Sequence, residues 1–442
     1  MAATLMTPKE QAIEHLTQVF QSFEHQLNGE AGSTLHALRK KSFEALQQVH
    51  FPDRKHEDWK YTSVQRLMAP PYQLAPSGGQ QQVINIPGLD SYVLPVINGE
   101  VDWREIESWA PHSGINIIPL QKAIQNSEWS TVLAPVLEYT DPTSGHAFAL
   151  LNLAFQNGGF VIDIPKGLMV DKPIEIRIVH DSTDVSFSNP MFVIRCGQNS
   201  QVRIIERYEG ALHHQHPTQE SLINAAGHIL LDRNAGLQHI KWQDLPGQQH
   251  LVYQLKVHQS GDSRFVSYAF DFGGQMVRNN VDVELLQSNT YTSLMAGFIA
   301  KGTQSMDHQT CINHKVPHCE SHELYRGILD DKSSAAFNGK VFVHPDAQKT
   351  NAFQQNDTLV LSPNALMNSK PQLEIFADDV KCSHGATIGQ LDGKSLFYLM
   401  ARGIDPQTAT HMLKAAFLAQ VLDAVPVEPL STYIRNRMSL EL

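Results

Sequence analysis

Between about Gly158 and about Thr387 the chain is a succession of short β-rich runs with no convincing long helix among them. FVIDI, IEIRIVH, MFVIRC, QVRIIERY, LVYQLKVH, NNVDVELL and KVFVH follow one another, separated by Gly, Asn, Asp and Pro. β-branched and aromatic residues fill such runs because they fit a pleated, half-buried surface, and the separators are residues that turn a chain. A strand-rich stretch of this length is too much for one small sandwich. Stacked strand coils (a β-helix) or two barrels would hold it, and no strict short repeat chooses between them.

The flanks have a different character. Ile13, Leu16, Phe20, Phe23 and Leu27 recur at steps of three and four, as do Leu35, Leu38, Leu46 and Val49 after a break at Gly29–Gly32, which predicts two amphipathic helices. The Pro/Gly-rich APPYQLAPSGG from Ala69 to Gly79 reads as a boundary, and Asn98-Gly99 between VLPVI and VDW reads as a hairpin turn. At the other end Asp405 is placed to cap and Pro406 to open a helix of about 18 residues ending near Pro426. Met412, Leu413, Ala416, Phe417 and Val421 form its apolar stripe, which either covers the end of the domain or docks a partner. The expected layout is a helical region over 1–75, a mixed α/β connection over 76–157, a β core over 158–395 and a helical region over 396–442.

Bulk properties narrow the function. The net charge of −11, with no Lys/Arg-rich stretch to offset it, argues against nucleic acid, which is bound through clustered cations. No apolar run reaches the roughly 18–20 residues needed to span a bilayer, and MAATLMTPKEQAIEH lacks the pattern of a secretory signal. Cys196, Cys311, Cys319 and Cys382 are too scattered for a disulfide framework, so a reducing cytoplasm is expected. The 22 histidines keep metal chemistry in view.

Three motifs are candidates for chemistry. Gly389-Gln-Leu-Asp-Gly393-Lys394-Ser395 has three residues between its glycines where a phosphate loop needs four, with Ile388 where that Gly belongs, so it is set aside. DHQTCINHKVPHCESHE holds His308, Cys311, His314, His318, Cys319 and His322, six possible ligands without the spacing of a known metal motif. In a strand the four histidines would share a face, although Pro317 interrupts any single strand; the bland reading is a His-rich sheet face or turn. Cys382 and His384 stand two apart in an extended run, so both project from one face about 7 Å apart and could share a metal or cluster. Two ligands leave a four-ligand shell incomplete, so the rest would come from elsewhere, such as a second chain. A buried Cys beside a hydrogen-bonded His is the plain alternative.

PQLEIFADDVKCSHGATIGQLDGKSLFYLMARGI, from Pro371 to Ile404, resembles the SufB/SufD family of the SUF iron–sulfur assembly system. So do the blocks His314–Asp331 and Phe337–Asn356, and HEDWKYTSV from His56 to Val64 is similar to the family's N-terminal element. FYLMARGI, with no evident sulfur-accepting Cys motif, favours the SufD branch. The resemblance implies a right-handed parallel β-helix core flanked by N-terminal and C-terminal α-helical segments. It implies a non-catalytic scaffold in a SufBCD complex: pairing with SufB through the β-helix, binding the ATPase SufC through C-terminal helices, and leaving open a homodimer without SufB. SufC contacts would come from Arg402, Gly403, Met412, Leu413, Ala416 and Phe417. A transient Fe–S cluster is expected at the SufB–SufD interface, with none bound permanently. The family's candidate histidine falls on His384, with Cys382 beside it; Cys311 is a departure. The competing readings are a metal-dependent cupin-like β-barrel enzyme, using His308, His314 and Glu323 or the wider set with His318 and Cys319, and a β-helix adhesin or carbohydrate-binding module.

Overall fold

The computed structural model describes residues 7–27, 32–49, 51–79, 84–137, 146–210 and 219–441. It is mainly β, at 40% strand and 28% helix. The strand-rich stretch winds into a parallel solenoid of about eight turns. Successive strands alternate between two sheets. Sheet A stacks Phe160–Ile164, Met191–Cys196, Ser221–Leu231, Gln249–Gln259, Met276–Leu285, Ser305–His314, Ser334–Val343 and Leu366–Ile375. Sheet B stacks Ile174–His180, Gln201–Gly210, Gly236–Asp244, Arg264–Asp271, Tyr291–Ala300, Glu320–Leu329, Asn351–Val360 and Lys381–Gly389. The open choice between a β-helix and two barrels therefore resolves to the former.

Coil length drifts, which explains the missing repeat. Stacked partners lie 28 residues apart at His239–Ser267, 29 at Arg278–Asp307, 30 at Gln354–His384 and 31 at Glu323–Gln354. The corner leading from sheet A to sheet B is regular in conformation instead. Asn199, Asn234, Asp262, Asn289, His318 and Lys349 each adopt positive φ there, one per coil. Asn and Asp tolerate this left-handed conformation because their short polar side chains bond locally. Here they also bond one another: Asn234 donates to Asn199 at 2.9 Å and Asn289 to Asp262 at 3.2 Å.

Inward residues of both sheets form one apolar column that includes Ile204, Leu237, Phe265, Leu294, Val283 and Phe337. Helices cover the outsides. Pro406–Leu422 and Glu428–Glu441 lie on the outer face of sheet B, where Leu418, Val421, Leu430 and Ile434 meet Ile240, Trp242 and Phe270. Pro8–Gln26 and Thr34–Val49 pack with Ala147–Ala154 over the early coils of sheet A. Thr7 and Glu10 close a capping box ahead of Pro8. The break expected at Gly29–Gly32 lies, apart from Gly32, outside the described residues. Before the solenoid, Tyr92–Ile97 and Glu100–Val101 make the expected hairpin, with Asn98 and Gly99 both at positive φ. Tyr92–Ile97 then pairs in parallel with Ile174–His180, so the connecting region contributes to sheet B.

HEDWKYTSV fastens the N-terminal region to the coils. Trp59 is buried, stacks on Phe148 with ring centroids 5.1 Å apart, and carries the Arg278 guanidinium 3.7 Å from its own centroid. Arg278 pairs with Asp307 at 2.7 Å, and the Thr62 hydroxyl donates to the same carboxylate. Burying this ion pair is tolerable because each partner is hydrogen-bonded as well as neutralised.

Candidate functional site

The last strand of each sheet, Leu366–Ile375 and Lys381–Gly389, has a neighbour on one side only. The two strands form an open end. Leu366 is 56% exposed, Phe376 57% and Ile388 51%, an apolar surface in contact with water. Cys382 and His384 lie here. Their register partners are Ala352 and Gln354, both buried and inward-facing, so the two candidates also face the solenoid interior, from its uncovered last rung. They share a face as their spacing predicted, but not an environment. Cys382 is half-buried and packs with the small cluster of Val341, Ala352 and Ala377, and burial pushes its thiol up, away from the thiolate a metal needs. His384 is exposed; on the opposite, outer face of the same strand, Ser383 and Gly385 line a cavity of about 490 Å³ with His322, Arg326 and Phe353. An exposed imidazole with a free lone pair is a competent metal ligand, and one such residue supplies only part of a coordination shell.

The six candidates from His308 to His322 are dispersed. His308 and His314 face inward from one sheet A strand, about 20 Å apart at the rise of an extended chain. His308 sits between the rings of Phe298 and Tyr325, with Nδ1 on the Asn279 amide at 3.2 Å. His314 bonds the Ser321 hydroxyl at 2.8 Å, and burial lowers its pKa to about 4. Cys311 points outward from the same strand, beside Asp282 and Lys340. His318 is a left-handed corner residue and Cys319 is buried next to it, its Sγ 3.6 Å from the Gln287 carbonyl. His322 lies beyond the corner on sheet B, bonded to Glu320 and stacked on Phe353. The shared face expected for His308, His314, His318 and His322 does not form, because the chain changes sheet between His314 and Glu320. Glu323 is on sheet B too, so the His308–His314–Glu323 set of a cupin-like site does not converge. Among the described residues no group of three or more His, Cys, Asp or Glu side chains could hold a metal ion.

The C-terminal helices divide their apolar residues between two surfaces. Gly393–Ala401 buries nothing: Phe397 is 72% exposed, with Tyr398 and Met400 also exposed. Asp392 caps it by accepting from the amides of Lys394 and Ser395, so two N–H groups of the GKS segment are already satisfied by a carboxylate. Arg402 ends that helix with its guanidinium over Tyr398, and Gly403 turns the chain at a φ of 87°. Asp405 and Pro406 open the next helix as expected, over 17 residues. Its expected single stripe is split: Ala409, Leu418, Val421 and Leu422 face sheet B, whereas Met412 and Ala416 face outward. Leu413 and Phe417 lie at the margin, and Arg326 covers the Phe417 ring and donates to its carbonyl at 2.6 Å. Sequence periodicity missed this split because the helix is apolar on both sides. No helix among the described residues is long and apolar enough to cross a membrane.

Comparison with known proteins places these features in one lineage. Residues 178–417 match the SufBD core domain of the SUF iron–sulfur cluster assembly system, and residues 10–176 match the SufBD N-terminal region. An iron–sulfur cluster assembly SufBD family protein of Synechocystis sp. is 30% identical over 93% of this chain and 92% of its own length. The iron–sulfur cluster assembly protein SufD of Escherichia coli is 27% identical over 95% of this chain and 96% of its own. The chloroplastic protein ABCI7 of Arabidopsis thaliana is 28% identical over 95% and 89%. The chain belongs to the SufBD family of iron–sulfur cluster assembly proteins.

Proposed function

We propose that this chain is a non-catalytic scaffold that supplies one half of a cluster-assembly site to a SufB-type sister chain, and that it docks a SufC-type ATPase through its C-terminal helices. The observation that carries the reading is the position of His384: exposed, inward-facing, and on the terminal strand of sheet B. A parallel sheet that ends with its edge open presents unpaired N–H and C=O groups, which proteins cover or pair with another chain. The exposed Leu366, Ile375, Phe376 and Ile388 around that edge suit a partner strand or coil rather than water. Pairing there would bring the sister's side chains to His384 and complete the coordination that one imidazole leaves unfilled. The cluster is cargo in this reading, formed at the interface and passed on; Cys382 packs beside the site and is a secondary ligand candidate.

Docking of the ATPase is supported by the Gly393–Ala401 helix, which leaves Phe397, Tyr398 and Met400 exposed. Of the contacts the family resemblance implies, Arg402 and Gly403 border that helix and Met412 extends its apolar surface. Co-purification of the tagged chain with SufB-type and SufC-type partners tests both contacts. Phe397→Asp should abolish ATPase capture and leave sister pairing intact. Normal capture by that variant would remove the helix from the interface.

A further inference from the structure

His384 is the top rung of an inward-facing column on sheet B. The rung below is Gln354, and the rung below that is Glu323. Gln354 is 3% exposed and donates from Nε2 to Glu323 Oε2 at 2.5 Å. Its Nε2 occupies space that only a glycine leaves: a Cβ on Gly339, across the interior on sheet A, would stand 2.1 Å away. Glu323 is also buried, and although burial pushes its carboxyl up to about 7, the hydrogen bond from Gln354 opposes that shift.

A carboxamide is planar, with nitrogen and oxygen on opposite sides of Cδ. A nitrogen drawn toward Glu323, one coil below, turns the oxygen toward the coil above, which is that of His384. Gln354 Oε1 is buried and has no hydrogen-bond partner among the described residues. An unsatisfied buried carbonyl costs about 1–3 kcal/mol, so an available N–H on the next rung would be taken up. The ladder spacing of about 4.8 Å places an imidazole N–H of His384 within reach of a glutamine side chain in the adjacent strand.

We propose that Gln354 is a positioning residue for His384. Its Oε1 accepts from one imidazole N–H, so the other ring nitrogen is unprotonated and directed out of the open end, and Glu323 fixes the amide in that orientation. The proposal rests on the reading of His384 as a ligand given above and deepens it. Histidine ligands in proteins are generally oriented in this way, with the non-coordinating N–H held by a second group.

Histidine ¹⁵N NMR of the full chain tests it, the His384→Ala spectrum serving to identify the His384 signals. The wild type should show His384 as a single tautomer. Gln354→Met, which keeps the shape and removes the acceptor, should give the averaged shifts of two tautomers at an unchanged melting temperature. Identical His384 shifts in the two proteins would overturn the proposal. If Gln354→Met does not fold, the isosteric Glu323→Gln gives the same readout: its amide no longer dictates which end of Gln354 faces His384, so the single tautomer should again be lost. In the assembled complex, Gln354→Met should weaken metal capture about 10–100-fold. Full cluster yield from His384→Ala alongside a Gln354-dependent tautomer would retire the ligand reading and leave the hydrogen bond standing. Cluster loss in His384→Ala with a Gln354-independent tautomer would retire the positioning role alone.

Discussion

The two ends of the solenoid are treated differently. At the start, sheet A receives the antiparallel strand Asn116–Pro119, its outer face is covered by the N-terminal helices, and Trp59, Thr62, Arg278 and Asp307 pin the segment to the later coils. At the finish, Leu366–Ile375 and Lys381–Gly389 are uncovered and the helix that follows buries none of its residues. Two ends built from the same repeating coil thus differ in whether their apolar surface is satisfied within the chain. Edge strands left open invite pairing with other chains, and this is the end at which we propose the interface. Under the proposed scaffold function the covered end contributes stability and the open end contributes assembly.

That division can be broken or sharpened by substitution. The largest stability effect is expected at the covered end. Trp59→Ala removes a ring packed between Phe148 and Arg278 and should cost about 4 kcal/mol, read as a lower denaturation midpoint. A loss below about 1 kcal/mol would mean that the staple is not what holds the N-terminal region. Buried neutral histidines should give a smaller, pH-dependent effect. His314 is held neutral by burial, with its pKa lowered from 6.5 to about 4. Its unfolded form binds a proton that the folded form refuses, so stability is full above pH 6.5 and falls as pH drops toward 4. The loss from this residue is about 2 kcal/mol at pH 5. His314→Gln should flatten the stability–pH curve by that amount over this window, with the other histidines held neutral by burial, among them His180, His228 and His250, keeping the remainder. An unchanged curve would place the acid sensitivity elsewhere.

The smallest stability effect belongs to the open end. Ile388→Asp, at a side chain already 51% exposed, should change stability by less than about 0.5 kcal/mol while abolishing capture of the sister chain. A variant that still pairs normally would erase the contrast between the two ends.

Much of this was legible in local sequence. The strand-rich core, the Asn98-Gly99 hairpin, the helix opened by Asp405-Pro406 and the common face of Cys382 and His384 all follow from patterns a few residues long. What was hidden depends on distance along the chain. The Trp59 staple joins Thr62 to Asp307, 245 residues later, and no short pattern announces such a contact. The run from His308 to His322 resembled a ligand cluster because its residues are close in sequence. One left-handed corner at His318 sends them to different faces of two sheets. Gln354 carried no signal at all, since its significance comes from register with Glu323 below and His384 above.

The most direct test is the iron and acid-labile sulfide content of the complex formed by this chain with SufB-type and SufC-type partners, comparing wild type with His384→Ala after anaerobic purification. The scaffold account predicts that the His384→Ala complex assembles with unchanged stoichiometry and melting temperature but forms little or no cluster. A full complement of iron and sulfide in that variant would contradict the assignment of the open end as the assembly site.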